Sequence, residues 1–190
     1  MTSWFTADTH WNHANIIKYC HRDVTYPKCG HFLIETMNSY LVEMWNAKVQ
    51  PGDIVYHLGD FAWDTQTMIW ALKQLNGQIH LIRGNHDKRM GKYLDRHFHW
   101  VGDYKEIKVE DDELDSPQRI ILFHYPIESW NAKYHGSWHL HGHVHSTKEI
   151  QKTNQIPGRL DVGVDAHAFT PISYEEIKVI FTRSLVDNGV

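Results

Sequence analysis

Asp8-Thr9-His10, Gly59-Asp60, Gly84-Asn85-His86-Asp87, His124 and Gly142-His143-Val144-His145 each set an Asp, Asn or His where an apolar run gives way to a loop. A chain with this pattern is expected to fold as an α/β sheet protein that gathers these side chains at the carboxyl ends of its strands. Asp, Asn and His are also the residue types from which a two-metal hydrolytic site is built. Any one block has an ordinary explanation, since a lone Asp after Gly is commonly a turn residue. The recurrence at successive strand ends points to chemistry.

The intervening sequence supports this order of elements. Residues 3–7 read as a short strand, and a polar, aromatic-rich loop runs from Trp11 to His31. Leu33, Ile34, Met37, Tyr40, Leu41 and Met44 recur at helical spacing, which predicts a helix over 33–47. A strand over 53–58 delivers Gly59-Asp60, Asp64 or Thr65 caps a helix over 66–75, and a strand over 78–82 leads into Gly84-Asn85-His86-Asp87. A helix over 88–97 is expected next, then a hairpin of strands 100–109 and 118–124. Further strands are expected at 138–142 and 159–164. Ser173-x-x-Glu176 is a capping-box signature for a short helix, with a last strand expected near 178–182.

With 190 residues and no low-complexity linker, the chain is expected to be one domain, 1–190. The formal net charge of −4 and pI near 6.4 disfavour a broad phosphate-backbone footprint, so a nucleic-acid partner is not favoured. Asp8 follows the start too closely for a basic and then apolar leader, and no run approaches the ~20 apolar residues of a membrane span. A soluble, cytoplasmic protein without membrane association is therefore expected, and a homodimer is compatible with the sequence. Cys20 and Cys29 make no secreted disulfide framework. With His21 and His31 they could form a zinc clip, but the spacing fits no usual pattern, so free thiols are the expectation. The 16 histidines, spread from His10 to His167, are the compositional outlier.

Two divalent ions about 3.5–4 Å apart need terminal N and O ligands and a bridging carboxylate. Asp60, behind a small glycine on a central strand, is the natural bridge. The order D-x-H, GD, GNHD, H, GH-x-H resembles the calcineurin-like metallophosphoesterases over about residues 4–165. The longer segments 8–17 and 160–167 look like a small bacterial and phage branch of that family. The resemblance implies a four-layer α/β/β/α sandwich of two mixed sheets. It implies that Asp8, His10 and His145 bind one metal, that Asn85, His124 and His143 bind the other, and that Asp60 bridges them. His86 is implied as the acid that protonates the leaving oxygen while a metal-bridging hydroxide attacks phosphorus. Asp87, the neighbouring carboxylate, is expected to orient the His86 imidazole and favour its charged form.

The oxygen and nitrogen ligand set fits Mn²⁺ first, with Fe, Ni²⁺, Zn²⁺ and Mg²⁺ also compatible. The expected reaction is hydrolysis of a small phosphodiester or nucleotide-like phosphomonoester. A nuclease, and a non-catalytic binding module on the same fold, are the alternatives. Asn12 stands where many relatives have glycine; it tolerates a left-handed backbone, and its amide is expected to face the substrate. His13, Arg22, Arg83, Tyr125, Trp130 and Trp138 are further candidates for the substrate side, Arg22 as a bidentate phosphate contact. Asp165 and His167 are candidate partners of ligand histidines. His139 and His141 are expected to face the sheet.

Overall fold

The computed structural model describes residues 1–22, 34–147 and 156–187. Strand β1 (Ser3–Thr6) leads into α1 (Ala14–Tyr19), a short helix inside the expected loop. Then come α2 (Ile34–Asn46), β2 (Ile54–His57), α3 (Thr65–Gln74) and β3 (Gln78–Ile82). Asp64 caps α3, its side chain accepting from the Thr67 amide at 2.8 Å. The expected helix over 88–97 is instead a 3₁₀ segment, Asp87–Tyr93, kinked at Gly91, followed by the single turn of α4 (Leu94–His97).

The expected strand over 100–109 is two strands in different sheets. β4 (Trp100–Gly102) lies parallel to β3, whereas β5 (Tyr104–Val109) forms the expected antiparallel hairpin with β6 (Gln118–Phe123). Both halves form strands, and Gly102-Asp103, residues disfavoured inside strands, mark the crossing between them. Arg83 grips Asp103 there through two 2.8 Å contacts, which corrects Arg83 as a substrate candidate. Next are β7 (Trp138–His141), β8 (Arg159–Asp161), the two-residue β9 (Ile172–Ser173) and α5 (Tyr174–Asp187). The capping box forms, Ser173 N–H donating to Glu176 at 2.8 Å and Glu176 N–H to Ser173 Oγ at 3.2 Å. It opens a full helix, which corrects the expected strand near 178–182. Val179-Ile180-Phe181 reads as strand locally, but Tyr174, Ile177, Ile180 and Phe181 share one core and Val179 is left 47% exposed, a helical stripe.

The first sheet runs β4-β3-β2-β1-β9 and the second β5-β6-β7-β8. Both are mixed, and with the flanking helices they form the expected four-layer sandwich. Strand alternation sorts the core. Phe5, Tyr56, Leu58 and Ile82 of the first sheet share one cluster with Ile120, Leu122, Leu140 and Leu160 of the second. Val55, Ile79 and Leu81 pack instead with Ile16 and Ile17 of α1, Met37, Leu41 and Trp45 of α2, and Met68 and Ala71 of α3. Trp138 joins the first cluster, its ring 5.3 Å from Tyr174 and 5.0 Å from Phe181. Trp130 is buried with its indole N–H on the Ser137 carbonyl, so both tryptophans serve packing. Among the described residues no helix is long and apolar enough to cross a membrane.

Two buried histidines make this fold sensitive to acid. The Thr9 hydroxyl donates to the Phe61 carbonyl at 2.8 Å and so accepts from His57 Nε2 at 3.0 Å, while His57 Nδ1 is buried without a hydrogen-bond partner for a second proton. Burial pushes His57 down to about 3 and His139 down to about 4. In the unfolded chain a histidine charges near pH 6.5. The stability each neutral ring contributes is therefore complete above that value and lost as pH falls through the window toward 3–4. Urea unfolding in chelator should lose up to about 1.4 kcal/mol per pH unit for each group below pH 6.5. His57→Leu and His139→Leu should be less stable at pH 7.5 yet lose less on acidification. Equal pH slopes in wild type and variants would contradict this account.

Candidate metal centre

The blocks converge because β1, β2, β3, β6 and β7 all end at the same edge of the sandwich. Asp8 and His10 follow β1, Asp60 follows β2, Asn85 and His86 follow β3, His124 follows β6, and His143 and His145 follow β7. Asp8, His10, Asp60, His143 and His145 all have positive φ, between 48° and 74°. Such backbone costs about 1–3 kcal/mol per residue and persists only where surrounding contacts impose it. Two glycines allow the close approach. A Cβ on Gly59 would lie 2.5 Å from His124 Nδ1, and one on Gly142 would lie 2.4 Å from Asp8 Oδ2.

Asp8, His10 and His145 form one group able to hold a metal ion, and Asp60, His124 and His143 form a second, with the ligand atoms of each group within 4.8 Å of one another. Asp60 stands between them. Its Oδ1 accepts the His86 amide at 2.9 Å, while Oδ2 lies 3.6 Å from His10 Nε2, 3.7 Å from His124 Nε2 and 3.9 Å from His86 Nε2. Asn85 Oδ1 is 3.2 Å from His124 Nε2, which puts it beside the second group. His86 belongs to neither group.

The donors are oriented for cations. His124 Nδ1 donates to the Leu58 carbonyl at 2.7 Å and His145 Nδ1 to Asp165 Oδ2 at 2.8 Å, leaving each Nε2 for a ligand. Asp8 Oδ1 and His10 Nε2 are buried with no hydrogen-bond partner. Burial, then the charges of Asp161 and Asp60, push Asp8 well above the carboxylate range. Burial pushes His10 and His124 down, which keeps them as the neutral imidazoles that bind metal. Orphaned buried donors and a crowded carboxylate fit a divalent ion, and the residues present suit one in each group.

Several expected substrate contacts have other places. Arg22 is 1% exposed: Nε and Nη2 grip Asp165 at 2.8 and 2.9 Å, and Nη1 and Nη2 donate to the carbonyls of Thr9 and Asp8 at 3.1 and 2.8 Å. It is not a phosphate contact. Asn12 does take a left-handed φ of 63°, but its amide donates to Asp64 at 2.8 Å, not toward the groups. The Asp87 carboxylate is fully buried and accepts the amides of Gly84, Asp60 and Phe61 at 2.7, 2.8 and 2.9 Å. Burial pushes it up to about 6. It braces the Asp60 loop and does not orient the His86 ring. His167 bonds the Asp161 carbonyl instead of a ligand histidine, whereas Asp165 is the expected partner of His145. His139 lies between the Ile121 and Tyr125 carbonyls, and His141 bonds the Gly142 carbonyl, as expected of residues facing the sheet.

Two residues expected on the substrate side lie beside the groups. His13 lies 5.3 Å from the His10 ring and 5.9 Å from that of His86, and Tyr125 lies 4.7 Å from His143. The structure adds two that the sequence did not single out. Trp63 stacks on His13 at 4.1 Å, and the Arg89 guanidinium sits 4.2 Å above Trp63. Cys20 is a free thiol that also approaches His145 and Asp165, and burial together with Asp165 pushes it up to about 12, unsuited to thiolate ligation. Cys29 and His31 lie outside the described residues.

No family model matches the chain. It is 33% identical over 189 residues to the uncharacterized protein MJ1445 of Methanocaldococcus jannaschii, an alignment that covers 98% of this chain and 92% of that protein. It is 31% identical over 193 residues to the Gene 66 protein of Mycobacterium phage D29, with coverage of 89% and 91%. Among solved structures, the protein of unknown function AQ665 from Aquifex aeolicus matches with a TM-score of 0.70 at 27% identity, over 94% of this chain and 98% of that one. Nearly full-length matches at this identity mean that the chain belongs to the family of the archaeal MJ1445 and the phage Gene 66 protein.

Proposed function

We propose that this protein is a metal-dependent phosphoric ester hydrolase with a dinuclear centre. The observation that carries the reading is Asp60, a buried carboxylate with one oxygen facing His10 of one metal-binding group and His124 of the other. Asp8, His10 and His145 would hold one ion, and Asn85, His124 and His143 the other, with Asp60 shared. Two divalent ions supply an acidified water near neutral pH and neutralise the oxygens of a phosphoryl group.

The chain's own residues complete the reaction. The His86 backbone fixes Asp60, which leaves its imidazole free to face the leaving group and give it a proton. His13 and Trp63 wall that side, and Tyr125 walls the other. Arg89, held on the Trp63 face, places a positive charge at the rim, which suits a compact anionic ester better than a long polyanion. Mn²⁺ leads the candidate ions because the donors are carboxylate, amide and imidazole.

The reading is tested by loading the protein with Mn²⁺, Fe²⁺, Ni²⁺, Zn²⁺ or Mg²⁺, counting ions per chain, and screening mono-, di- and cyclic phosphate esters. Metal-dependent turnover with two ions per chain is expected. A fully loaded protein inert toward the whole panel would refute it.

Asp60→Asn should reduce bound metal toward one ion or none and bring activity to background. Retention of two ions and turnover would remove Asp60 from its proposed place. His86→Asn should keep both ions, because the contact to Asp60 is made by backbone. Its turnover of an alkyl or ribose ester should fall about 10²–10⁴-fold, the range for a positioned acid. A nitrophenyl ester, whose leaving oxygen needs no proton, should lose far less. Equal losses for the two esters would rule out acid catalysis by His86.

A further inference from the structure

We infer that Arg22 is the positioning residue for one half of the metal centre, holding the Asp8, His10 and His145 group in its binding geometry through direct bonds that it does not make to the Asp60, His124 and His143 group. The inference deepens the proposed metal-site reading and rests on it. A guanidinium taken wholly out of water costs several kcal/mol unless its donors are satisfied. Arg22 meets that requirement with Asp165 and with the carbonyls of Asp8 and Thr9, and its remaining Nη1 contact is Met37 Sδ at 3.6 Å.

Each partner leads to a ligand. The Asp8 carbonyl belongs to a ligand residue, and the Thr9 carbonyl begins the peptide that carries His10. These are the two residues whose φ values of 56° and 50° need outside support. Asp165, gripped on both oxygens, uses Oδ2 to accept from His145 Nδ1 and so aims its Nε2. One planar fork therefore fixes three ligands from two sheets. In the second group His124 is oriented by the Leu58 carbonyl and Asp60 by the His86 amide, and the two groups meet where the His143 amide donates to Asp8 Oδ2. Lysine carries the same charge but cannot span a carboxylate and two carbonyls at once.

The test is Mn²⁺ titration of the full chain by calorimetry and by the electron paramagnetic resonance signal of bound Mn²⁺. It compares wild type with Arg22→Lys, Arg22→Gln, Asp165→Asn and the double variant Arg22→Gln/Asp165→Asn, each also in a His143→Ala background that cripples the second group. The Arg22 variants should weaken the first group by about 10–100-fold, the range for residues that orient ligands, and leave the second within about threefold. Because Arg22→Gln strands a buried carboxylate, the double variant, which removes both charges, serves if the single one does not fold. In the double variant the losses should not add, since the two residues act as one unit. Unchanged affinity of the first group in any folded variant, or equal weakening of both groups, would overturn the assignment of Arg22. Wild type that binds fewer than two Mn²⁺ ions would instead overturn the dinuclear reading.

Discussion

The Asp8 carboxylate ties the chemistry of this protein to its architecture. It extends from the end of β1 in the first sheet, and its Oδ2 accepts the backbone N–H of His143, beyond β7 in the second sheet, at 2.8 Å. A reciprocal tie runs from His124 in the second sheet to the Leu58 carbonyl in the first. A third is the bridge between Ala7 and Gly163. The sheets therefore meet through the groups that form the site, and the glycines at 59 and 142 let them approach. A side chain at Gly59 would collide with His124, and one at Gly142 with Asp8 and with Ala7 of the apolar core.

The same closeness explains the spacing of roles along the loops. Alternate positions after a strand end point in different directions, and each loop uses both. In Gly84-Asn85-His86-Asp87, Asn85 turns toward His124, the His86 amide holds Asp60, and Asp87 turns inward to accept three amides. After β8, Asp161 caps the Ser146 and Gly163 amides while Asp165 faces His145 and Arg22. The carboxylates nearest the site divide into Asp8 and Asp60, which give one oxygen to a backbone amide and turn the other toward the groups, and Asp87 and Asp161, which accept amides on both oxygens. Only geometry distinguishes them.

That division sets how far the sequence could be read. Hydrophobic periodicity and strand-end placement were enough for most of the sheet–helix order and for expecting Asp, Asn and His side chains together at the strand ends, whereas the four-layer sandwich and the division of Asp8, His10, Asp60, Asn85, His124, His143 and His145 into two groups came from the resemblance of the motif order to a known family. The break between β4 and β5 has only Gly102-Asp103 as its local mark, and the change of sheet is decided by which neighbour each half pairs with. The same holds for α5, where consecutive apolar residues suggest a strand and the packing of every third or fourth residue makes a helix. Arg22, Asn12 and Asp87 have the composition of solvent- or substrate-facing residues, and each is claimed by a partner distant in sequence or by the backbone. Trp63 and Arg89 lie outside the blocks and become visible only when the loops after β2 and β3 come together.

What unites these residues is strain held in place by contacts. Five of the residues proposed to bind metal sit in left-handed backbone, a conformation that Asp and His adopt at a cost. The strands bring the loops to that edge, and Arg22, Asp87 and the cross-sheet bonds hold them there. These braces are contacts within the protein, so the fold itself contributes to gathering the ligand atoms. A site ordered in advance spends little of its binding energy on rearranging the chain. The energy that orders the loops comes from buried polar partners in the surrounding shell, and a change at Arg22 or Asp87 can therefore alter metal affinity without removing a single ligand.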